Sequence, residues 1–479
     1  MKTDLVFTTS DGVGIALTMH HSGQDEPGAV IVTMTPYNRW LHAAPAEFLD
    51  AGFRVVYADT RGTGESGGVF EGMFSPREVT DGAELIEWLA TQPFCDGKVA
   101  WSGASYVGSM GLLVAARRPR GLVCVESSVG PLDLYRNVFR MGGISRTSHW
   151  AAMVFLQGQP ARSVGPALES YTAMACLESD DPLFRERSPI EVLDRIEVPV
   201  LFVGGVYDFH SASTFGGYAR LQAPKRMVVV TSGHGAGGDP EAIAEQLRWF
   251  RLWLQGVGDA PAEGGEARVA VPRTDRWLEW VGPGDATPVS RPLDSSEFEI
   301  PVLPLLLAPP RAPSPTPGED AGAGLHTWGE TVVRDIADLS GGTIVGAPVV
   351  TISFRAEGCS DAHLFVRLLV IRADESVEQV TEGRVRLAQR EVDPERSIRY
   401  PGGEYRSVWL RQTGIDLLEP GTPAEAVIEL LPTCLELLPG DRLALGFAAS
   451  RPEGGSSTAG RLTVLPESRI TVPMSPSTA

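Results

Sequence analysis

Cysteine is sparse and lysine nearly absent from this 479-residue chain, and each scarcity narrows the field. The five cysteines (Cys95, Cys124, Cys176, Cys359 and Cys434) are odd in number, widely scattered and form no C-x-x-C pair. Neither a zinc site nor a disulfide framework is indicated, so free thiols in a reducing, cytoplasmic setting are expected. Lysine occurs only at positions 2, 98 and 225 while arginine is plentiful, the bias of a GC-rich bacterial genome. No segment approaches the ~18 consecutive apolar residues of a membrane helix. The opening MKTDLVFTTSDG lacks the apolar run of a signal peptide. Positive charge is also short: 41 Lys and Arg against 60 Asp and Glu leave a formal charge of -19. Such a surface repels nucleic acid and anionic membranes, so neither is expected as a partner.

What is present is a globular composition, 43% hydrophobic and 21% charged, over a length that implies two or three domains. Residues 1–135 alternate strand-like and helix-like segments. Apolar runs at 29–34, 53–58, 99–101 and 122–125 read as strands. Between them, Ser75 can cap a helix, Pro76 suits its first position and Glu78 stands where a capping box needs it. Val79, Ala83, Leu85, Ile86, Trp88 and Leu89 then give that helix one apolar face. Strands alternating with helices imply an α/β fold with a mostly parallel sheet. The rhythm breaks over residues 136–195, read as a helical cap insertion, and resumes over 196–258 with strand-like runs at 198–204 and 226–231. The amphipathic stretch 240–255 reads as the last helix of this part.

Residues 259–318 read as a connecting segment, with seven prolines between positions 301 and 317 that rule out helix and central strand. Residues 319–479 carry short alternating runs at 349–354, 364–371, 426–430 and 442–447, separated by turn signals. They predict an all-β sandwich or jelly roll.

The chemistry concentrates at Val99-Ala-Trp-Ser-Gly-Ala-Ser-Tyr-Val-Gly108. A strand runs into Gly103-Ala-Ser-Tyr-Val-Gly108, with a helix expected from Ser109, as at a nucleophile elbow presenting Ser105 on a sharp corner. A serine hydroxyl attacks a carbonyl only when a histidine takes its proton and a carboxylate holds that histidine. In such a sheet the acid and then the histidine follow later strands in chain order. Val200-Leu-Phe-Val-Gly-Gly-Val-Tyr-Asp208 and Met227-Val-Val-Val-Thr-Ser-Gly-His234 supply them. His210 competes as the base, but it stands two residues from Asp208 on one loop, where orientation through that carboxylate is awkward, so His234 is preferred. The backbone N–H of Tyr106 is the first oxyanion donor expected. A second should come from Thr33-Met-Thr-Pro-Tyr37-Asn-Arg39, where Tyr37 is either that donor or a packing aromatic. Asp59-Thr-Arg-Gly-Thr-Gly-Glu-Ser-Gly-Gly68 lacks the Lys-Ser/Thr ending of a phosphate loop. Its Asp59 and Arg61 are expected to pin the turn beneath the serine through charge-assisted bonds. No metal ligand set stands out among the eight histidines, and no cofactor is expected.

Taken together, Thr35-Pro-Tyr-Asn-Arg39, the segment 59–68, Trp88 with Gln92-Pro-Phe94, the elbow, Gly205-Val-Tyr-Asp208 and Ser232-Gly-His234 resemble the X-Pro dipeptidyl-peptidase / cocaine esterase family of serine hydrolases. Leu364-Phe-Val-Arg-Leu368, Val380-Thr-Glu-Gly383 and Pro439-Gly-Asp-Arg-Leu443 resemble its C-terminal domain. The resemblance implies an α/β-hydrolase core with an inserted helical cap, plus a C-terminal all-β jelly-roll domain. It implies Ser105 as nucleophile, Asp208 as acid and His234 as base, with the Tyr37 hydroxyl and Tyr106 N–H as oxyanion donors. The cap, about 60 residues, is short for the family.

The expected activity is hydrolysis of an ester or amide of a small or medium acyl substrate, or of an Xaa-Pro dipeptide, through an acyl-serine intermediate. The alternatives are an acyltransferase using the same acyl-enzyme, and a non-catalytic ligand-binding protein. The expected partner is a small molecule or short peptide, and a homo-oligomer is compatible with the sequence. An Xaa-Pro peptidase would need an anchor for a free amine, for which Glu169, Glu178, Asp180 and Asp181 are candidates by location.

Overall fold

The apolar runs of the first half build the middle of a ten-stranded sheet. The computed structural model describes residues 1–475 apart from 24–25, 159, 162–163, 281–285, 294–296, 304–331, 337–338, 340 and 453–459. In chain order the strands are β1 (Lys2–Thr8), β2 (Gly14–His20), β3 (Gly28–Thr35), β4 (Arg54–Asp59), β5 (Cys95–Ala104) and β6 (Leu122–Ser128). A two-residue hairpin, β7 (Arg140–Met141) and β8 (Ile144–Ser145), precedes β9 (Val200–Gly205), β10 (Lys225–Val230), β11 (Glu266–Ala270) and β12 (Trp277–Trp280). The sheet order is β1-β2-β4-β3-β5-β6-β9-β10-β11-β12. From β4 to β11 the pairs run parallel, and the outermost pairs are antiparallel.

The central strands are buried on both faces, which is why they read as unbroken apolar runs and not as alternation. The period of two still sorts their side chains. Val30, Val32, Val99 and Trp101 face α2 (Pro76–Ala90), α3 (Tyr106–Ala115) and α7 (Ser211–Arg220). Ile31, Val55, Ala100 and Val203 face α1 (Ala46–Asp50) and α8 (Pro240–Gln255). The expected start of α2 is present: Ser75 Oγ accepts from the Glu78 N–H at 3.2 Å, with Pro76 in the first turn. The Glu78 carboxylate itself turns instead to Tyr106.

Between β6 and β9 the chain leaves the sheet for a π-helical turn over residues 134–139, the β7–β8 hairpin, α4 (Thr147–Gly158), α5 (Gly165–Cys176) and α6 (Pro182–Arg185). Phe139, Tyr171, Met174 and Phe184 join the apolar cluster of the α2–α3 face, so this insertion shares one core with the sheet. Past the end of α4 the chain is tied down by Gly64 N–H donating to Pro160 O at 2.8 Å, and by a bridge between Thr63 and Ala161.

A second, twelve-stranded sheet is formed by residues between 287 and 474, nearly all antiparallel, around its own cluster of Ile352, Phe354, Val366, Leu368, Leu445 and Phe447. It docks on the insertion. Arg136 donates to Leu410 O at 2.8 Å, its guanidinium lies 4.2 Å from the Trp409 ring centre, and Arg386 N–H donates to Gly142 O at 2.7 Å.

Residues 259–318 hold more structure than a connecting segment. β11 and β12 extend the first sheet, and Thr287–Pro292 and Phe298–Leu303 are strands of the second. Pro301 lies inside the latter, contrary to the expectation drawn from the prolines. There the strand pairs with Gly460–Val464 on one side, while its pairing with Arg442–Ser450 begins only at Val302. A proline is tolerated where one side of the ladder is open at its nitrogen. The rest of the proline-rich stretch, 304–317, lies outside the described residues.

Candidate active site

β5 ends at Ala104, and Ser105 takes φ +57° and ψ −121°, outside the comfortable regions for a residue with a side chain. Helix α3 begins at once with Tyr106, three residues earlier than the sequence suggests. The turn is this tight because glycines flank it. A Cβ on Gly103 would stand 2.2 Å from the Val107 side chain, and one on Gly108 would stand 2.8 Å from Gly103 O. Ser105 N–H donates to Ser128 O at 2.8 Å, and the Trp101 indole donates to Val107 O at 2.8 Å, fixing strand to helix.

Asp208 follows β9 and His234 follows β10, both at the carboxyl edge of the parallel sheet, where such folds form their crevices. His234 Nε2 stands 2.9 Å from Ser105 Oγ and His234 Nδ1 stands 2.8 Å from Asp208 Oδ1. The three expected side chains therefore form one hydrogen-bonded line. Asp208 is 2% exposed. Burial pushes its carboxyl up, and the hydrogen bond from His234 opposes this. Phe209 stacks on the His234 ring at 4.4 Å and 25°, so the imidazole is clamped from one face. His210 stands beside this line and not in it. Its ring is 5.6 Å from that of His234, and burial drives its pKa well below the usual histidine value, keeping it neutral.

Tyr106 is the first residue of α3, so its N–H has no acceptor within the helix. Tyr37 lies on the loop after β3, its N–H donating to Thr35 Oγ1 at 3.1 Å and its ring edge-on to that of Tyr106 at 6.0 Å. Burial pushes the Tyr37 phenol up to about 12, so it keeps its proton across the neutral range.

The segment after β4 closes around Asp59, which is fully buried. Arg39 pairs with its carboxylate, the Arg39 N–H donates to it at 2.7 Å and the Glu65 N–H at 3.0 Å. Arg61 grips Asp81 of α2 in a bidentate pair at 2.7 and 2.9 Å. A Cβ on Gly64 would lie 2.3 Å from Asp59 Oδ2, which explains glycine at that point. Asp59 and Arg61 thus brace the loop through separate partners. Among the described residues no group of three or more His, Cys, Asp or Glu is arranged to hold a metal ion.

Three buried residues do work in the site that the sequence reading does not give them. Glu78 accepts from the Tyr106 hydroxyl at 2.6 Å, and burial raises it to about 8. Glu126 accepts from Ser102 Oγ at 2.7 Å, from Gly103 N–H at 3.1 Å and from Ser128, and burial raises it to about 7. Gln157 of α4 donates to the Tyr37 hydroxyl at 3.2 Å. Glu126 and Gln157 lie in no spacing pattern and Glu78 in one that points only to a helix cap, whereas each meets a partner at least 23 positions away. Of the four acids considered as amine anchors, Glu178 pairs with Arg386, Asp180 with Arg136, Asp181 caps α6, and Glu169 is exposed.

The family model described as X-Pro dipeptidyl-peptidase (S15 family) matches residues 11–236. That of the X-Pro dipeptidyl-peptidase C-terminal non-catalytic domain matches residues 342–468. The chain is 24% identical to a cocaine esterase of Rhodococcus sp., across 94% of this chain and 91% of that protein. Its fold is that of a CocE/NonD family hydrolase from Staphylococcus aureus, with a TM-score of 0.83, 17% identity, and coverage of 98% and 93%. An α-amino acid ester hydrolase is similar at a TM-score of 0.74 and 16% identity, with coverage of 99% and 96%. These likenesses assign an α/β-hydrolase fold with a C-terminal β domain.

Proposed function

Because the chain belongs to the X-Pro dipeptidyl-peptidase / cocaine esterase family and is a serine hydrolase, we propose that it hydrolyses esters or N-acyl amides through an acyl-Ser105 intermediate. The carrying observation is the line from Asp208 through His234 to Ser105, at 2.8 and 2.9 Å, on a strained elbow. His234 takes the hydroxyl proton as Ser105 attacks the carbonyl, and Asp208 holds the ring while it is an imidazolium. His234 then returns the proton to the departing alcohol or amine. Water, deprotonated by the same ring, attacks the acyl-enzyme and releases the acid. The Tyr106 N–H and the Tyr37 hydroxyl stabilise the oxyanion of both tetrahedral intermediates. The insertion acts as a cap over this crevice, and the C-terminal domain, read as a jelly roll, holds the cap in place.

The charge around the site favours uncharged or anionic substrates over an Xaa-Pro peptide with its free amine. The candidate amine anchors are engaged or exposed, and Arg146 lies against Phe209 with its guanidinium 5.5 Å from the ring centre. A fluorophosphonate probe should label the wild type and leave Ser105→Ala unlabelled. p-Nitrophenyl esters and N-acyl amides should turn over faster than Xaa-Pro amides. Absence of label on the wild type, or labelling that survives Ser105→Ala, would overturn the nucleophile. A preference for Xaa-Pro amides would overturn the substrate class alone.

A further inference from the structure

Gln157 is 1% exposed, although it sits on α4 of the insertion and not on the sheet. Both ends of its amide are used. The Nε2 group donates to the Tyr37 oxygen at 3.2 Å, and Oε1 accepts from the hydroxyl of Tyr171, itself fully buried on α5. A primary amide can be turned end for end, and the two orientations have opposite consequences for Tyr37. With Nε2 toward Tyr37, the phenol oxygen is already accepting, and its own proton is free to point elsewhere. With Oε1 toward Tyr37, that proton is captured by the amide.

In the structure the hydrogen bonds run one way. The Tyr171 hydroxyl donates to Gln157 Oε1, which turns Nε2 toward Tyr37, and Nε2 donates to the phenol oxygen. The last proton in the line, on Tyr37, is left for an acceptor in the crevice.

We propose that Gln157 is a positioning residue that fixes the Tyr37 phenol as a hydrogen-bond donor to the oxyanion, so that the cap helix completes the oxyanion hole of a site otherwise built by the sheet. This rests on the donor role proposed above for Tyr37. The cap can do so because the chain just past α4 is pinned to the core, by Gly64 to Pro160 and by the Thr63–Ala161 bridge, on the loop that encloses Asp59. Polarised chains of this kind are worth more inside a protein than in water, since each link strengthens the next.

The test is steady-state hydrolysis of a short-chain p-nitrophenyl ester by the full-length protein. Gln157→Glu replaces the donating end by a carboxylate that accepts from Tyr37, and should lower kcat about 100-fold, close to Tyr37→Phe. Gln157→Met removes the donor without capturing the proton and should cost about 10-fold, with KM within about threefold in both variants. In the Tyr37→Phe background, Gln157→Met should add no further loss, because there is no phenol left to orient. Tyr171→Phe is the milder companion should the Gln157 variants fold poorly. It leaves the amide in place but unbiased, and should cost a few-fold in kcat only while Tyr37 is present. Equal losses for Gln157→Met with and without Tyr37 would reduce Gln157 to a packing residue and overturn the inference. So would an unchanged kcat in Gln157→Glu alongside an impaired Tyr37→Phe. An unchanged kcat in Tyr37→Phe itself would instead remove the donor role and, with it, this inference.

Discussion

Two flanks of the Ser105 elbow bury carboxylates, and they satisfy them in opposite ways. On the β4 side Asp59 is met by a cation, the Arg39 guanidinium, together with backbone N–H groups. On the β5–β6 and α2 side, Glu126 and Glu78 are met by hydroxyls and a backbone N–H, and burial raises them to about 7 and about 8. The difference has a use. Glu78 touches the side chain of Tyr106, whose N–H is proposed to face the oxyanion, and a fixed negative charge there would oppose the negative charge that develops in the reaction. A carboxyl that stays protonated below about pH 8 supplies an acceptor without that penalty. Asp59, bound to a loop that only has to hold its shape, is paired with the Arg39 guanidinium instead.

The largest effect should come from breaking the ionic flank. Arg39→Met leaves Asp59 buried without its cation, and stranding one member of a buried pair costs about 3–5 kcal/mol. Urea unfolding at pH 7 should show that loss as a lower midpoint at unchanged slope. A loss near zero would mean that the backbone donors alone hold Asp59, and the contrast between the flanks would disappear.

The hydroxyl flank should reveal itself through pH. The folded carboxyls of Glu78 and Glu126 lie above the ordinary value of 4.5, so between pH 4.5 and about 7 to 8 the folded chain binds more protons than the unfolded one. Stability then falls as pH rises through that window, and the contribution these acids make is complete only below about pH 4.5. Glu78→Gln and Glu126→Gln carry no such proton and should flatten the fall, each by up to about 1.4 kcal/mol per pH unit. Unfolding free energies at pH 5 and pH 8 check this: each variant should gain relative to the wild type at pH 8 compared with pH 5. A gain at pH 5 instead would mean that these acids are ionised in the fold.

The two flanks also differ in how far the sequence announces them. Ser105 was legible because a strand, two glycines and a helix must coincide to expose it, and Asp208 and His234 because each ends an apolar run in the order such a sheet demands. Asp59 and Arg61 fell inside a dense glycine-rich motif and could be assigned a bracing role, though not their partners Arg39 and Asp81. Glu78 was read as half of a capping box, a local role, whereas its carboxylate answers to Tyr106, 28 residues on. Gln157 and Glu126 gave no signal, since a lone polar residue in an apolar stretch declares neither its burial nor its partner. Pro301 misled for a related reason. Whether a proline can sit in a strand depends on which side of the ladder is open at its nitrogen, and that is fixed by strands 140 or more residues later.

The smallest effect sharpens the comparison from outside it. Arg118 and Glu197 approach to 2.8 Å, as closely as many buried pairs in this chain, but their side chains are 53% and 67% exposed. In water the attraction at such a distance is about 1.5 kcal/mol before the cost of ordering two long side chains, and salt screens it further. Glu197→Gln should therefore change the unfolding free energy by less than about 0.5 kcal/mol, and less again at high salt. If distance governed the worth of an ion pair, this substitution and Arg39→Met would cost alike. If burial governs it, the two should differ several-fold, because at Asp59 the loss lies mainly in the solvent that the stranded carboxylate cannot reach.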